Sequence, residues 1–113
     1  MREDKLGDLS MELSVDVLQL TKELRAKHEN VISNQIGRSA TSICANIAES
    51  KYAHGRADFI AKLHIALKEC AESEYWLELL LEGGYTENRT VLEHCVEVKR
   101  ILIASINTAK NNK

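Results

Sequence analysis

The sequence predicts an all-α protein, an antiparallel four-helix bundle with up-down-up-down topology. The chain contains no proline and only five glycines, so it has few residues that break helices or favour turns. Aromatic residues make up 4% of the chain, which leaves little of the side-chain chemistry that favours strands. Apolar residues recur every three or four positions through four segments that are separated by short polar stretches. A chain of 113 residues is expected to form a single domain.

The first helix is predicted over residues 8–26, with Asp8 or Ser10 as its N-cap. Its core stripe consists of Leu6, Leu9, Leu13, Val17, Leu20 and Leu24. A second apolar patch, formed by Met11, Val15 and Leu18, falls on the opposite side, where a soluble monomer normally carries charge. These side chains are either exposed by chance or in contact with another subunit, and we favour the subunit contact.

The second helix is predicted over residues 31–49, with Asn30 or Ser33 able to act as its N-cap. Apolar or small residues occupy both of its sides. One stripe contains Ile32, Ile36, Ser39, Ala40, Ile43 and Ile47, and the opposite side carries Arg38, Thr41, Ala45 and Ala48. Small side chains allow a neighbouring backbone to approach closely, so we expect this helix to pack on more than one face.

The third helix is predicted over residues 56–81, after the polar loop 50–55. Its core stripe contains Phe59, Leu63, Ala66, Cys70, Leu77 and Leu81. Glu74 projects from the middle of this stripe and needs a partner, either Arg38, Asn46 or Gln35 of the second helix or solvent near a helix end. The functional alternative is a catalytic or metal-binding carboxylate. We favour a buried polar network of Arg38, Asn46 and Glu74 that holds the two helices in register.

The back of the third helix carries a second candidate subunit contact, formed by Ile65, Trp76 and Leu79. The helix is expected to end at the two glycines 83–84, which adopt left-handed conformations at low steric cost. The fourth helix is predicted over residues 88–109, with Thr86 or Asn88 as its cap.

Several kinds of catalytic and metal site are excluded by spacing. None of the four histidines follows a glutamate by three residues, which excludes the di-iron carboxylate sites of some helical bundles. Cys44, Cys70 and Cys95 lie far apart without the Cys-x-x-Cys spacing of zinc sites, and we expect buried, reduced thiols. No strand precedes a glycine-rich loop, so phosphate-binding motifs are also missing. The sequence therefore predicts no catalytic residues, no cofactor and no metal ion.

The charge pattern gives one alternative function. A net charge of −2 provides no global attraction to nucleic acid or to an anionic membrane. A local basic patch is formed by Arg38, Lys51, Arg56 and Lys62. We favour a solvated surface here, and the alternative is a nucleic-acid-binding accessory factor. The chain shows neither a signal peptide nor an apolar run long enough to span a membrane, so we expect a cytoplasmic protein.

One stretch of the second helix carries a family resemblance. Residues 35–50 read QIGRSATSICANIAES, which is similar to the pattern QIRRAAxSIPANIAEG of the small bacterial four helix bundle proteins, also called 23S rRNA intervening-sequence proteins. Residues 58–74 resemble the segment EFIxFLxIA followed by AExE in the same family. A third match is the pair of leucines 79–80 before Gly84 and Tyr85.

Three departures of the 35–50 stretch from the family pattern matter. Gly37 stands in place of an arginine, Cys44 in place of a proline and Ser50 in place of a glycine. The missing arginine weakens any basic function, and Cys44 should leave the helix straighter than a proline would.

The resemblance implies a fold and an assembly more than an activity. It implies a homo-oligomer, commonly a pentamer, and most members of the family have no established biochemical activity. The family includes a basic relative that assists the reverse transcriptase of diversity-generating retroelements. We therefore expect a non-enzymatic interaction or scaffold protein.

Overall fold

The computed structural model describes residues 4–111, which contain four α-helices. Their bounds are α1 Lys5–Ala26, α2 Val31–Ser50, α3 Arg56–Glu82 and α4 Arg89–Asn111. Helices α1 and α3 each pack against both α2 and α4, so that α1 and α3, and likewise α2 and α4, are the diagonal pairs of the bundle. This is the predicted antiparallel up-down-up-down four-helix bundle.

Helix α1 begins earlier than the predicted residue 8 because Asp4 caps it. The Asp4 carboxylate accepts a hydrogen bond from the Gly7 amide at 3.0 Å, which satisfies one of the free amides of the first turn. Ser10 instead donates its hydroxyl to the Gly7 carbonyl inside the helix. Asp8 lies in the first turn, where its charge is favourable toward the helix dipole. The prediction of Asp8 or Ser10 as the N-cap is therefore wrong.

The amides at the start of α2 are satisfied by Glu29 rather than by the predicted Asn30 or Ser33. The Glu29 carboxylate accepts hydrogen bonds from the amides of residues 31–33 at 2.8 to 3.1 Å. Asn30 occupies the N-cap position, but its side chain makes no capping hydrogen bond. The Ser33 hydroxyl reaches a carbonyl oxygen of α1. A negative charge that contacts three amides at a helix N-terminus is stabilising, because it also faces the positive end of the helix dipole.

Helix α4 begins as one of the two alternatives predicted. The Asn88 side-chain oxygen accepts a hydrogen bond from the Thr90 amide at 3.1 Å, which confirms Asn88 as a cap. The Thr86 hydroxyl oxygen accepts from the Asn88 amide at 3.1 Å and so orders the loop before the helix.

Helices α1 and α3 end in the same type of turn at the same end of the bundle. His28 and Gly84 both have positive φ, 65° and 76°, and the amide that follows each donates to a carbonyl of the last helical turn at 2.8 and 2.9 Å. Glycine adopts this conformation without steric penalty, whereas His28 carries a Cβ. The Lys27 ammonium donates to the Tyr85 carbonyl at 3.0 Å and joins the two turns.

The core runs the length of the bundle and follows the predicted stripes. The largest fully buried side chains are Leu13, Leu24, Ile36, Ile43, Leu63, Leu77, Leu80 and Leu102. In α3 the stripe ends on Leu80, which is buried, and the predicted Leu81 is only partly buried. No helix within residues 4–111 combines the length and the apolar character that crossing a bilayer requires.

The back of α2 stays open in a single chain. The helix packs on α1 with one flank and on α3 with the other, but the expected packing of its small-residue side does not occur within one chain. Its outermost side chains, Arg38, Thr41, Ala45 and Ala48, are exposed. Thr41, Ala45 and Ala48 form a small-residue strip that is flanked by neighbouring helices but is not covered by them.

Candidate interaction surface

The outer face of α1 carries a continuous apolar ridge. Met11, Val15 and Leu18 are 58, 47 and 48% exposed. Their spacing of four and three residues places them on one side of the helix, opposite the core stripe. These three residues are called the α1 ridge below.

The α1 ridge borders the small-residue strip of α2. Met11, Cys44 and Ala48 line one shallow cleft between the two helices. The Ser14 hydroxyl donates to the Ala40 carbonyl at 3.3 Å and holds α1 and α2 in register. One face of the bundle therefore presents an apolar ridge next to a flat strip of small side chains.

The predicted patch on α3 is not continuous. Ile65 and Leu79 are exposed, but Trp76 is half-buried. Residues 65, 69, 72, 76 and 79 follow one helical stripe, so Glu69 and Glu72 lie between Ile65 and Trp76. The patch consists of two apolar spots with an acidic stretch between them.

Arg38 of α2 contacts both carboxylates of this acidic stretch. Its guanidinium contacts Glu72 and lies 2.8 Å from a Glu69 carboxylate oxygen. Glu72 also accepts a hydrogen bond from the Trp76 indole at 2.9 Å. These hydrogen bonds, first from Arg38 and then from Trp76, lower the pKa of Glu72, and the same carboxylates raise the pKa of Arg38. Since Arg38 is about half exposed, this Arg38 cluster lies on the surface.

The predicted buried network of Arg38, Asn46 and Glu74 does not form. Asn46 donates its amide to the carbonyl and hydroxyl oxygens of Ser42, one turn earlier in the same helix. Glu74 accepts a hydrogen bond from Lys99 of α4 at 2.6 Å, which raises the pKa of Lys99. The prediction failed because Glu74 lies on the flank of the core stripe that faces α4, and Arg38 contacts carboxylates on the opposite flank.

A histidine and an aspartate are paired in the groove between α1 and α4. His94 Nδ1 lies 3.0 Å from an Asp16 carboxylate oxygen across the α1–α4 groove, a pair that the sequence analysis missed. The antiparallel register of α1 and α4 is the signal that places these two residues side by side. Within residues 4–111 no three histidine, cysteine or carboxylate side chains converge in a group able to hold a metal ion.

The four basic residues of the nucleic-acid alternative are mostly engaged in ion pairs. Lys51 contacts a carboxylate at the start of α1, Lys62 contacts one at the end of α2, and Arg38 contacts two on α3. Within the described part of the chain, Arg56 is the one member of this set without a carboxylate partner. Phosphates would therefore have to compete with these carboxylates for three of the four cations.

Comparison with known proteins places the chain in a family. A sequence model of the 23S rRNA-intervening sequence protein family matches residues 3–104. The fold is similar to the crystal structure of a protein with unknown function from the S23 ribosomal protein family of Bacteroides thetaiotaomicron, with a TM-score of 0.87 and 45% sequence identity. That similarity covers 89% of this chain and 97% of the other. No protein of curated function matches. The chain therefore belongs to the 23S rRNA-intervening sequence protein family.

Proposed function

We propose that this protein is a non-enzymatic, homo-oligomeric interaction protein in which the α1 ridge of one copy packs on the outer face of α2 and α3 of the next. The observation that carries the proposal is the α1 ridge itself, three neighbouring apolar side chains that are each about half exposed. Removing apolar surface from water contributes roughly 25 cal/mol per Å². A continuous ridge of this kind is typical of an interaction surface on a soluble domain.

A second copy of the same chain is the proposed occupant because each copy carries both complementary surfaces. The α1 ridge projects from the bundle, and the adjoining strip of Thr41, Ala45 and Ala48 is flat and exposed. Ridges of one helix pack into the grooves of another, and small side chains allow the helix axes to come close together. No other protein is needed to supply either half of the contact.

The ridge and the strip are unlike surfaces that lie side by side on one face of the bundle. Two copies can pack each ridge on the other's strip about a two-fold axis, or successive copies can make a heterologous contact that closes into a ring when the rotation between subunits allows it. The resemblance to the 23S rRNA intervening-sequence proteins favours five copies. The Arg38 cluster lies within the proposed contact face, and its one guanidinium contacts both carboxylates within one chain. The cluster keeps a net charge of −1, so a neighbouring subunit has to leave it hydrated or supply one cation.

Support for the non-enzymatic part of the proposal comes from the pairing of Glu74 and the burial of two thiols. Glu74 is bound to Lys99. Two of the three cysteines are fully buried, at Cys70 and Cys95. A nucleophilic mechanism needs its thiol to face a substrate cleft, and neither buried thiol does.

Light scattering coupled to size-exclusion chromatography tests the proposal. The expected result is a mass that is a whole-number multiple of the 12.7 kDa chain and persists on dilution to low micromolar concentration. The mass of a single chain at every concentration would overturn it. A parallel titration with single-stranded RNA at low salt tests the alternative, which requires binding that weakens steeply as salt is added.

A further inference from the structure

Two buried thiols face each other across the contact between α3 and α4. Cys70 and Cys95 are both 0% exposed, and their sulfur atoms lie 3.8 Å apart. This contact joins the middle of α3 to the first half of α4, and the same two helices are also linked by the hydrogen bond from Lys99 to Glu74. The two cysteines are therefore held together by packed helices rather than by a mobile loop.

The geometry around this pair is reciprocal. The Cys70 sulfur lies 3.4 Å from the Cys95 carbonyl oxygen, and the Cys95 sulfur lies 3.5 Å from the Cys70 carbonyl oxygen. Each thiol therefore reaches the main chain of the opposite residue, which requires the two backbones to approach closely. A disulfide bond needs the sulfurs to move about 1.8 Å nearer, to a separation of about 2.0 Å. The bond therefore requires rotation about the two Cα–Cβ bonds together with a small helix shift.

We propose that Cys70 and Cys95 are a latent redox pair, which hydrogen peroxide or a small disulfide converts into an intramolecular disulfide that links α3 to α4. This inference is independent of the proposed assembly. The pair lies between α3 and α4, whereas the α1 ridge and the small-residue strip lie on α1 and α2.

The chemistry balances with either oxidant. A small disulfide is attacked by one thiolate to form a mixed disulfide, and the second cysteine then displaces the small thiol. The two protein thiols are oxidised, and one small disulfide is reduced to two small thiols. With peroxide, the first cysteine becomes a sulfenic acid and the second displaces its oxygen as water, so that one peroxide yields two water molecules.

Burial makes this reaction slow. The hydrogen bond with Cys70, followed by burial, raises the pKa of the Cys95 thiol, so the reactive thiolate is disfavoured in the folded protein. An oxidant therefore reaches the pair when the contact between α3 and α4 opens. Cys44 is more accessible and reacts earlier, but no other cysteine is in contact with it. The two thiols are therefore expected to stay reduced during brief oxidation and to form the disulfide during sustained oxidation.

The test uses the Cys44→Ser protein, which retains only the pair. The protein is incubated with oxidised glutathione, with and without mild urea. It is then denatured and alkylated, its molecular mass is measured, and it is digested into peptides. The expected product has lost two hydrogen atoms, resists alkylation and yields a peptide that links Cys70 to Cys95. Its melting temperature rises by roughly 10 °C, because the cross-link restricts the unfolded chain, and the rise is reversed by dithiothreitol. Mild urea should speed the reaction.

A matched control and three outcomes decide the inference. The Cys44→Ser/Cys95→Ser protein has one cysteine and should show neither the cross-link nor the rise in melting temperature. The proposal would be overturned if both thiols of the native protein can still be alkylated after an incubation that fully oxidises the unfolded chain. A mixed disulfide with glutathione that never resolves would do the same. So would a cross-linked product with a lowered melting temperature, because the native packing would then not accommodate the bond.

Discussion

The hydroxyl oxygens of Ser39 in α2 and Ser73 in α3 lie 2.7 Å apart, and both side chains are fully buried. The Ser39 hydroxyl also lies 3.4 Å from the Ile36 carbonyl oxygen. Both hydroxyls are satisfied when Ser73 donates to Ser39 and Ser39 donates to that carbonyl. This contact holds α2 and α3 in the register that brings Arg38 to its carboxylate partners.

The serine pair is expected to show strong coupling. Replacing Ser39 with alanine leaves the buried Ser73 hydroxyl without its partner, which should lower the free energy of unfolding by about 1–2 kcal/mol. The double change Ser39→Ala/Ser73→Ala removes both polar groups and should be less destabilising than the sum of the single changes. Urea unfolding of the four proteins measures the coupling, and strictly additive losses would contradict it.

The start of α2 should depend on Glu29 and not on Asn30. Changing Glu29 to alanine removes the acceptor for three amides and should lower the free energy of unfolding by about 1 kcal/mol. Asn30→Ala is the matched control, because the Asn30 side chain makes no capping hydrogen bond and its loss should have little effect. Thermal or urea unfolding distinguishes the two. Equal losses of stability in the two variants would show that the Asn30 side chain caps the helix as well.

His28 is a position where a glycine should stabilise the protein. Its positive φ carries a steric penalty, so His28→Gly is expected to raise the free energy of unfolding by about 0.5–1 kcal/mol after the greater freedom of unfolded glycine is included. Gly84→Ala in the equivalent turn of α3 should lower it by about 1 kcal/mol. Chemical denaturation of both variants checks the pair. A destabilised His28→Gly protein would show that the imidazole makes a contribution larger than the strain.

The Arg38 cluster should make stability depend on acid. The folded-state pKa of Glu72 lies below its ordinary value of 4.5, so its ionised form is favoured by folding. This stabilisation is complete above that ordinary value and is lost as the pH falls through the lowered folded-state pKa. The Glu72→Gln protein should therefore be less stable at neutral pH, and its free energy of unfolding should change less as the pH is lowered. Exposed Glu78 provides the control, since Glu78→Gln should leave the native profile unchanged.

Helices and core could be predicted because both follow from local periodicity. The stripe through Leu13, Val17 and Leu24 is buried as expected, since one face of a helix must pack on its neighbours. The helix starts were less predictable. The Asp4 and Glu29 carboxylates reach into the first turns from outside the expected bounds, and they compete with better-known capping residues.

The partners of polar side chains could not be predicted from single helices. The position of Glu74 on its helix is compatible with a partner on either adjacent helix, and only the assembled bundle brings Lys99 to it. The interruption of the α3 patch was visible in the sequence, since Glu69 and Glu72 fall on the stripe between Ile65 and Trp76. The contact of Arg38 with these two carboxylates was not visible in the sequence, because it depends on the register of α2 against α3.

The structure also changes the choice of variant for testing the assembly. Trp76 is half-buried and donates to Glu72, so a charged residue there would disturb the folded chain as well as a contact surface. The Leu18 side chain is exposed, and the residue's one polar contact outside the helix ladder in the described structure is made by its carbonyl, which accepts from the Thr21 hydroxyl. Ile103 on α4 is 43% exposed, close to the 48% of Leu18, and lies outside the proposed contact.

Masses of the native, Leu18→Glu and Ile103→Glu proteins, measured by light scattering at one concentration, test the proposed assembly most directly. The native and Ile103→Glu proteins should have the same multiple of the chain mass. The Leu18→Glu protein should have the mass of one chain and keep its helical circular dichroism, because an unpaired charge on the α1 ridge opposes association but not folding. A Leu18→Glu protein that keeps the native mass would contradict the account, as would a native protein with the mass of one chain.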